Sequence, residues 1–283
     1  MRLIADQPNN STESPSSNTA LAKEFALRTE MLGLKRVLVA YSGGVDSTYL
    51  AAIAKDVLGD GAKCVLGISA SVSEFQIKTA RENARKLGLN YSEVETSEIS
   101  LPGYRANSKD RCYHCKSNLY SLLLGLALEF KATAILDGTN FDDLKDFRPG
   151  RKAAEELNVR SPLAELKFTK SEIRLRSRLM NLATWDAPAS PCLASRIPHG
   201  IPVSIERLKM IEKAENIIRD NGFKEFRVRA HGDLARIEIA KNEMQLFLRT
   251  ELLNKIDEEF KKIGFKYVTF DLGGFRSGSL SRE

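Results

Sequence analysis

The segment Ala40-Tyr41-Ser42-Gly43-Gly44-Val45-Asp46-Ser47 has the residue types of a polyanion site. It follows the β-branched run Arg36-Val37-Leu38-Val39 and precedes an apolar helical pattern from Thr48 to Val57. A strand, a glycine-bearing turn and a helix start aim several backbone N–H groups at one point. Gly43 and Gly44 let the backbone approach an anion without a Cβ in the way, and Ser42 and Ser47 add hydroxyl donors. Asp46 would repel a bare phosphate, so its presence points to a bridging Mg²⁺. The spacing is not the Walker pattern, because no GKS or GKT follows the glycines.

A second chemistry lies in Arg111-Cys112-Tyr113-His114-Cys115-Lys116, just before an apolar helical stretch from Ser117 to Phe130. A Cys-x-x-Cys pair at a helix start puts both sulfurs on one side, where the dipole and nearby cations favour thiolate. Such a pair reads as a redox couple, half a zinc site or part of an iron–sulfur site. Cys192 stands in the proline-bounded loop Ser190-Pro191-Cys192-Leu193-Ala194-Ser195-Arg196, extended as a ligand or nucleophile requires. Cys112, Cys115 and Cys192 suit a [4Fe–4S] cluster with one iron free of protein ligands. A zinc site completed by His114 or His199 is equally compatible with the spacing. Cys64 opens a strand pattern and reads as a small buried hydrophobe.

These residues need a scaffold. Short β-type runs at Val37 to Ala40, Cys64 to Ser69, Tyr91 to Val94 and Ala132 to Leu136 alternate with amphipathic stretches at Thr48 to Leu58, Ser73 to Leu87 and Ser117 to Phe130. The alternation predicts an α/β fold, a parallel sheet with helices on both faces. Ligands in such sheets sit beyond the carboxyl ends of the strands, which here places the Ser42 turn, Ser69 and Asp137-Gly138-Thr139-Asn140 together. Thr169-Lys170-Ser171-Glu172 is a capping box opening a helix to about Leu182. The break at Ala187-Pro188-Ala189-Ser190-Pro191 marks a domain junction, where Trp185 is expected to pack. Beyond it, a helix from Ser204 to Asp220, strands at 225–231 and 234–240, helices within 241–263 and a strand at 267–270 predict a small α+β domain. The domains are thus a first body at 21–187 and a second at 188–283, behind a polar tail at 1–20 expected to be disordered.

Composition narrows the class. The 283 residues, 42% hydrophobic and 28% charged, are long enough for one large or two ordinary domains. No apolar run approaches the roughly 20 residues of a membrane span, and the N-terminus lacks a signal peptide's apolar core. Four cysteines, unevenly placed, do not make a secreted disulfide framework, so a cytoplasmic protein is expected. The net charge of +6 suits nucleic acid or an arginine-lined site for a phosphorylated small molecule. No dense Lys/Arg stripe with interleaved aromatics favours nucleic acid. Arg227, Arg229 and His231 alternate with Phe226, Val228 and Ala230, which places the cationic side chains on one strand face. The ordinary reading of that face is contact with water; the sharper one is bidentate binding of phosphate.

The pattern Ser-Gly-Gly-x-Asp-Ser at Ser42 to Ser47 resembles the PP-loop of the ATP pyrophosphatase superfamily, whose members adenylate an acceptor and release pyrophosphate. Further motifs are Leu136-Asp137-Gly138-Thr139-Asn140 with Asp142-Asp143, Asp146-Phe147-Arg148-Pro149-Gly150, and Pro191-Cys192-Leu193-Ala194-Ser195-Arg196-Ile197-Pro198. With Phe226-Arg227-Val228-Arg229 and Asp271-Leu272-Gly273-Gly274-Phe275-Arg276, the chain from about Leu21 resembles the LarE-type ATP-dependent sulfur transferases of nickel-pincer nucleotide cofactor biosynthesis.

That resemblance implies a PP-loop ATP pyrophosphatase domain holding ATP through Ala40, Ser42, Gly43, Gly44, Asp46, Ser47, Ser69, Gly138 and Arg148, with Mg²⁺. It implies catalytic roles for Asp46 and Cys192, and substrate-phosphate binding by Arg227, Arg229 and Arg196, with Glu215 a neighbour. The implied substrate is pyridinium-3,5-biscarboxylate mononucleotide, adenylated on a carboxylate before sulfur displaces AMP. Single-cysteine members sacrifice the sulfur at the Cys192 position, whereas this chain is similar to the three-cysteine members that bind a [4Fe–4S] cluster and transfer its bound sulfide. The alternatives are single-turnover sacrifice of Cys192 and a PP-loop tRNA thiolation enzyme. A homo-oligomer, possibly a hexamer by the resemblance, is expected, with the sulfide donor unidentified.

Overall fold

The computed structural model describes residues 15–145 and 149–276. Its first sheet is built from β1 (Val37–Ala40), β2 (Ala62–Ile68), β3 (Asn90–Glu95) and β4 (Ala134–Leu136) in the order β3-β2-β1-β4. Every pairing is parallel, with Val37 opposite Ala62 on one side and Ala134 on the other. Helices α1 (Pro15–Leu34), α2 (Val45–Leu58), α3 (Glu74–Leu87), α4 (Pro102–Arg105), α5 (Arg111–Phe130), α6 (Pro149–Glu156), α7 (Pro162–Glu165) and α8 (Lys170–Leu179) surround it.

Strand alternation explains the layering. Val37, Val39, Cys64 and Leu66 face a cluster with Leu27 and Met31 of α1, residues of α2, Ala80 and Ala84 of α3, and Ile173 of α8. Leu38, Val65 and Ile135 face the other way, onto Tyr120, Leu123 and Ala127 of α5 and Ala153 of α6. The sheet is therefore covered by helices on both faces, as the sequence pattern predicted. The chain builds outward from β1 through β2 to β3 and returns on the opposite side as β4, so β1 and β4 flank the topological switch point. The crevice beyond their carboxyl ends is the natural ligand position.

The second sheet has the order β5-β6-β7, with β5 (Phe226–His231) antiparallel to β6 (Leu234–Ile239) and β7 (Tyr267–Phe270) parallel to β6. Gly232, at φ +63°, makes the predicted hairpin turn between His231 and Leu234. Helices α9 (Ile205–Asp220), α10 (Met244–Phe247) and α11 (Thr250–Lys262) cover it, through Ile211, Ala214 and Ile218 of α9, Phe247 of α10, and Ile256 and Phe260 of α11. Tyr104 of α4 inserts into the same cluster. The Asn107 side chain donates to the carbonyls of Pro198 and Ile201 at 2.7 and 2.8 Å, a second tie between the two parts. No helix among the described residues is long and apolar enough to cross a membrane.

Several boundaries differ from expectation for physical reasons. Residues 15–20, expected within a disordered tail, belong to α1, and Ala20 is fully buried with Leu27 and Met31. The polar composition there hides an anchor supplied from afar: Glu24 is bound by Arg176 and Tyr49 at 2.7 and 2.9 Å. Residues 1–14 lie outside the described part. Helix α5 begins at Arg111 rather than Ser117, because the buried Arg111 guanidinium binds Asn107 and the Ala194 carbonyl and fixes an earlier turn. Helix α8 ends at Leu179, before Asn181 turns left-handed at φ +54°. Trp185 is 37% exposed, with the Arg178 guanidinium over its ring, and does not pack at a junction.

Candidate active site

The Ser42–Ser47 turn is tied by its own hydroxyls. Ser42 N donates to Ser47 Oγ at 3.1 Å, the two hydroxyls meet at 2.9 Å, and Ser47 Oγ donates to the Gly44 carbonyl at 3.3 Å. Gly43 is left-handed at φ +74°, and a Cβ there would lie 2.6 Å from Ala80 Cβ, so both backbone and packing demand glycine. Gly138 brings the loop after β4 against this turn; a Cβ on it would stand 2.8 Å from Ser47 N. The loop is braced by Asp137, which accepts from Tyr120 Oη at 2.7 Å, Ser161 Oγ at 2.7 Å and Thr139 Oγ1 at 2.9 Å. Ala40 ends β1 next to the turn, and Ser69 Oγ meets Ser71 Oγ at 2.8 Å beyond the end of β2. Arg148 lies outside the described residues. Asp142 accepts from Lys170 N at 2.8 Å and Asp143 from Asn140 N at 3.1 Å, so both organise loop backbone.

Asp46 defines the electrostatics. Its Oδ2 accepts from Lys170 Nζ at 2.6 Å, while its Oδ1 is buried without a hydrogen-bond partner. Burial pushes the carboxyl pKa up, and the Lys170 charge opposes that shift. A buried, unpaired carboxylate oxygen beside a phosphate cradle fits a hard cation that bridges to phosphates. Lys170 was not singled out for chemistry in the sequence, where it reads as part of a capping box. Its signal was a cation in the first turn of α8, where the helix dipole disfavours it.

The cysteines come from two directions. Cys112 and Cys115 sit in the first turns of α5, and Cys192 caps the short turn Leu193–Arg196. Arg111 donates to the Ala194 carbonyl at 2.8 Å and Leu193 N to the Ser71 carbonyl at 2.8 Å, which fastens the Cys192 turn against the start of α5 and the loop after β2. Cys115 and Cys192 both pack on the cluster around Tyr104. The three sulfurs feel one another: burial first, and the Cys192 charge next, raise the Cys112 thiol; burial, Glu98 and Cys192 raise Cys115. Cys112 is desolvated at its sulfur although the residue as a whole is exposed.

Among the described residues no three His, Cys, Asp or Glu side chains converge closely enough to hold a single metal ion. His199 Nδ1 lies 3.1 Å from the Asn107 carbonyl, and His114 is turned to Asp110 at 3.6 Å. Neither imidazole completes a site with the thiols. Cys115 and Cys192 share the cluster around Tyr104, and Cys112 lies one turn earlier than Cys115 at the start of α5. Lys116 links this region to the nucleotide loop, donating to Tyr120 Oη at 3.1 Å, which in turn donates to Asp137. Cys64 is buried in the sheet, its thiol pushed up to about 12 by burial.

The arginines divide into two kinds. Arg196 makes a bidentate pair with Glu215 at 2.8 and 3.0 Å, and Arg229 one with Glu238 at 2.7 and 3.0 Å, all four residues buried. Both guanidiniums therefore have carboxylate partners, a feature that strand alternation did not disclose. Arg229 also donates to the Ser195 carbonyl at 3.1 Å, inside the Cys192 turn. Arg227 is different. Among the described residues it is paired with no carboxylate and donates to the carbonyls of Phe226 and Ala189 at 2.6 and 2.5 Å. Burial, with Arg196 and Arg229 close by, pulls its pKa down to about 10. A half-buried cation flanked by cations calls for an anion.

The NAD synthase family model matches residues 20–121, the part holding the glycine turn and the first two cysteines. An uncharacterized protein of Synechocystis sp. is 44% identical over 88% of this chain and 93% of its own length. One from Methanocaldococcus jannaschii is 32% identical over 86% of this chain and 92% of its own. The pyridinium-3,5-bisthiocarboxylic acid mononucleotide synthase of Lactiplantibacillus plantarum is 35% identical over 93% of this chain and 95% of its own. With that likeness running through both sheets, the chain belongs to the LarE-type family of PP-loop enzymes.

Proposed function

We propose that this chain is an ATP-dependent sulfur transferase acting on pyridinium-3,5-biscarboxylate mononucleotide. The relative from L. plantarum is named for the bisthiocarboxylic product of such chemistry. The observation that carries the reading is the Cys192–Arg196 turn. One short segment puts a thiol beside the first turns of α5 and lies against the arginine cluster around Arg227.

In this reading the Ser42–Ser47 turn and the start of α2 hold the ATP phosphates, and Asp46 carries Mg²⁺ through its unpartnered Oδ1. A substrate carboxylate oxygen attacks the α-phosphorus and pyrophosphate leaves, with Lys170 beside the departing charge. The acyl adenylate then has a good leaving group. A sulfur nucleophile adds at the acyl carbon and AMP departs, giving the thiocarboxylate. Arg227 binds the substrate phosphate; Arg196 and Arg229 support it from their carboxylate pairs. Ala40, Ser69, Gly138 and Arg148 complete the nucleotide site.

Cys112, Cys115 and Cys192 would hold a [4Fe–4S] cluster, which supplies a sulfide at its open corner. The residues' own contribution would be to hold that group at the Cys192–Arg196 turn and the start of α5. A homo-oligomer is part of the same reading. The test is anaerobic reconstitution with iron and sulfide, followed by counts of pyrophosphate and thiolated product per protein. Several products per protein, lost in Cys112→Ala, support the cluster. One product per protein, with Cys192 lighter by the mass of H₂S, replaces it with sacrifice of that cysteine. No pyrophosphate from ATP and substrate ends the transferase reading altogether.

A further inference from the structure

The carbonyls leading into Cys192 are held one after another by side chains. Ala189 O accepts from Arg227 Nη2 at 2.5 Å, and Ser190 O from Gln76 Nε2 at 2.6 Å. Pro191 O and Cys192 O both accept from Arg196 Nη1, at 2.6 and 3.1 Å. Residues 188–191 themselves are exposed and bury no apolar side chain before Leu193. Polar ties, not packing, therefore fix this segment.

The three donors differ in what else they could do. Arg196 is committed, since its remaining nitrogens bind both oxygens of buried Glu215. Gln76 is committed too: its Oε1 accepts from Ser73 N and Oγ at 3.2 and 3.1 Å in the capping box of α3. Arg227 donates only to carbonyls and lies over the Phe275 ring at 4.9 Å, with no carboxylate in hydrogen-bond contact among the described residues. A phosphate can take two parallel N–H···O bonds with charge on both partners, whereas the Ala189 carbonyl takes one with charge on the donor alone. A phosphate arriving at Arg227 would outcompete the Ala189 carbonyl.

The geometry points to Arg227 as a latch: free of substrate, it pins the Cys192 segment through the Ala189 carbonyl, and the substrate's phosphate releases that segment by taking the guanidinium. The inference rests on the reading of Arg227 as the phosphate ligand. Gln76 and Arg196 keep their hold on Ser190, Pro191 and Cys192, so release is local to 188–189 and Cys192 itself stays tethered. The chain entering the Cys192 turn thus loosens only when there is an acceptor for sulfur, while the turn itself stays in place. Arg227 is in this respect a positioning residue as well as a ligand.

Proteolysis reads the latch directly. Within 187–192, Ala189–Ser190 is the bond open to elastase, because proline follows both Ala187 and Ser190. Cleavage needs the Ala189 carbonyl in the protease's oxyanion hole, and Arg227 occupies that carbonyl. On protein kept anaerobic, saturating pyridinium-3,5-biscarboxylate mononucleotide is expected to raise cleavage at this bond about tenfold. Arg227→Met is expected to show the raised rate without ligand and no response to it. Gln76→Ala is expected to raise the ligand-free rate and keep the response. Calorimetric titration runs in parallel, with circular dichroism to check each variant's fold. Ligand that binds the wild type yet leaves or slows the cleavage overturns the latch alone. Ligand that binds Arg227→Met as tightly as wild type overturns the phosphate reading, and the latch with it. The wild-type comparison decides the latch even if Arg227→Met fails to fold.

Discussion

Replacing Glu215 by Gln removes one buried charge beside the second sheet and almost no volume. Arg196 and Glu215 have side chains only 3% and 6% exposed, joined at 2.8 and 3.0 Å, and Glu215 Oε1 also accepts from Val228 N at 3.3 Å. Breaking a buried pair from one side costs about 3–5 kcal/mol, because the remaining charge is left uncompensated. Glutamine keeps one acceptor, so the lower end, about 3 kcal/mol, is the expectation. At roughly 2–4 °C per kcal/mol for chains of this order, the thermal midpoint falls by about 6–12 °C. The charge argument adds a second, more specific expectation. Glu215 also offsets Arg219 and Arg227, so without it the cluster has excess positive charge. Inorganic phosphate should then raise the variant's midpoint more than the wild type's. Differential scanning calorimetry with and without phosphate measures both. A midpoint within about 2 °C of wild type refutes the buried-pair arithmetic. A full drop with no extra phosphate response refutes the idea that this cluster is an anion site.

Lys170→Met should lower pyrophosphate release by about 10²-fold or more, and should move the acid limb of the pH–rate profile to higher pH, because Asp46 loses the cation that opposes the effect of burial. An unmoved acid limb would mean that Asp46 does not govern it. Gly138→Ala puts a Cβ 2.8 Å from Ser47 N, which is backbone and cannot yield, so nucleotide affinity should fall at least tenfold while the second sheet stays folded; equilibrium titration with ATP checks this. Glu24 is pushed up by burial but held below its ordinary 4.5 by hydrogen bonds from Arg176, Tyr49 and Arg28. Its contribution to stability is complete above pH 4.5 and is lost as pH falls through the lower folded value, so Glu24→Gln should flatten the acid limb of urea midpoints below about that pH. Cys64, buried and with its thiol near 12, should remain unmodified by iodoacetamide at pH 8 and react only after unfolding, as mass mapping of the native and urea-unfolded protein would show.

The parallel sheet with helices on both faces and the glycine turn were legible because each rests on local signals: β-branched runs, helical periodicity and residues at fixed offsets. The order β3-β2-β1-β4 was not, since it depends on contacts distant in sequence. The PP-loop could be read in the same way, since Gly43 is required by a backbone angle that its own position dictates. Helix α1 was not legible. Its low-complexity start carries no amphipathic pattern, and its register is set by Glu24 meeting Arg176, more than a hundred residues later. Lys170 was visible only as half of a capping box, because its partner Asp46 is distant in sequence. Strand alternation put Arg227 and Arg229 on one face but could not tell a guanidinium satisfied by Glu238 from one with carbonyl partners alone. Strand pairing does not supply it either, since the register sets Glu238 opposite Arg227 and Arg236 opposite Arg229; the Arg229–Glu238 pair is a diagonal contact made by the side chains.

The same distinction explains why this molecule can afford two buried ion pairs next to a third cation. Arg196–Glu215 is neutral overall, and Arg229–Glu238 is extended by Arg236 and Asp271 into a network of two cations and two carboxylates, so both add little net field at a distance while keeping their guanidinium planes in place. Arg227 sits between them as the group whose charge a ligand can neutralise with gain. Had Arg227 also possessed a carboxylate, an incoming phosphate would face a pair already satisfied and a like charge beside it. Leaving it with the Ala189 carbonyl keeps the apo state folded and gives that partner up to a stronger one. The carbonyl belongs to the segment that carries Cys192, so the electrostatics of recognition and the placement of the thiol share one hydrogen bond.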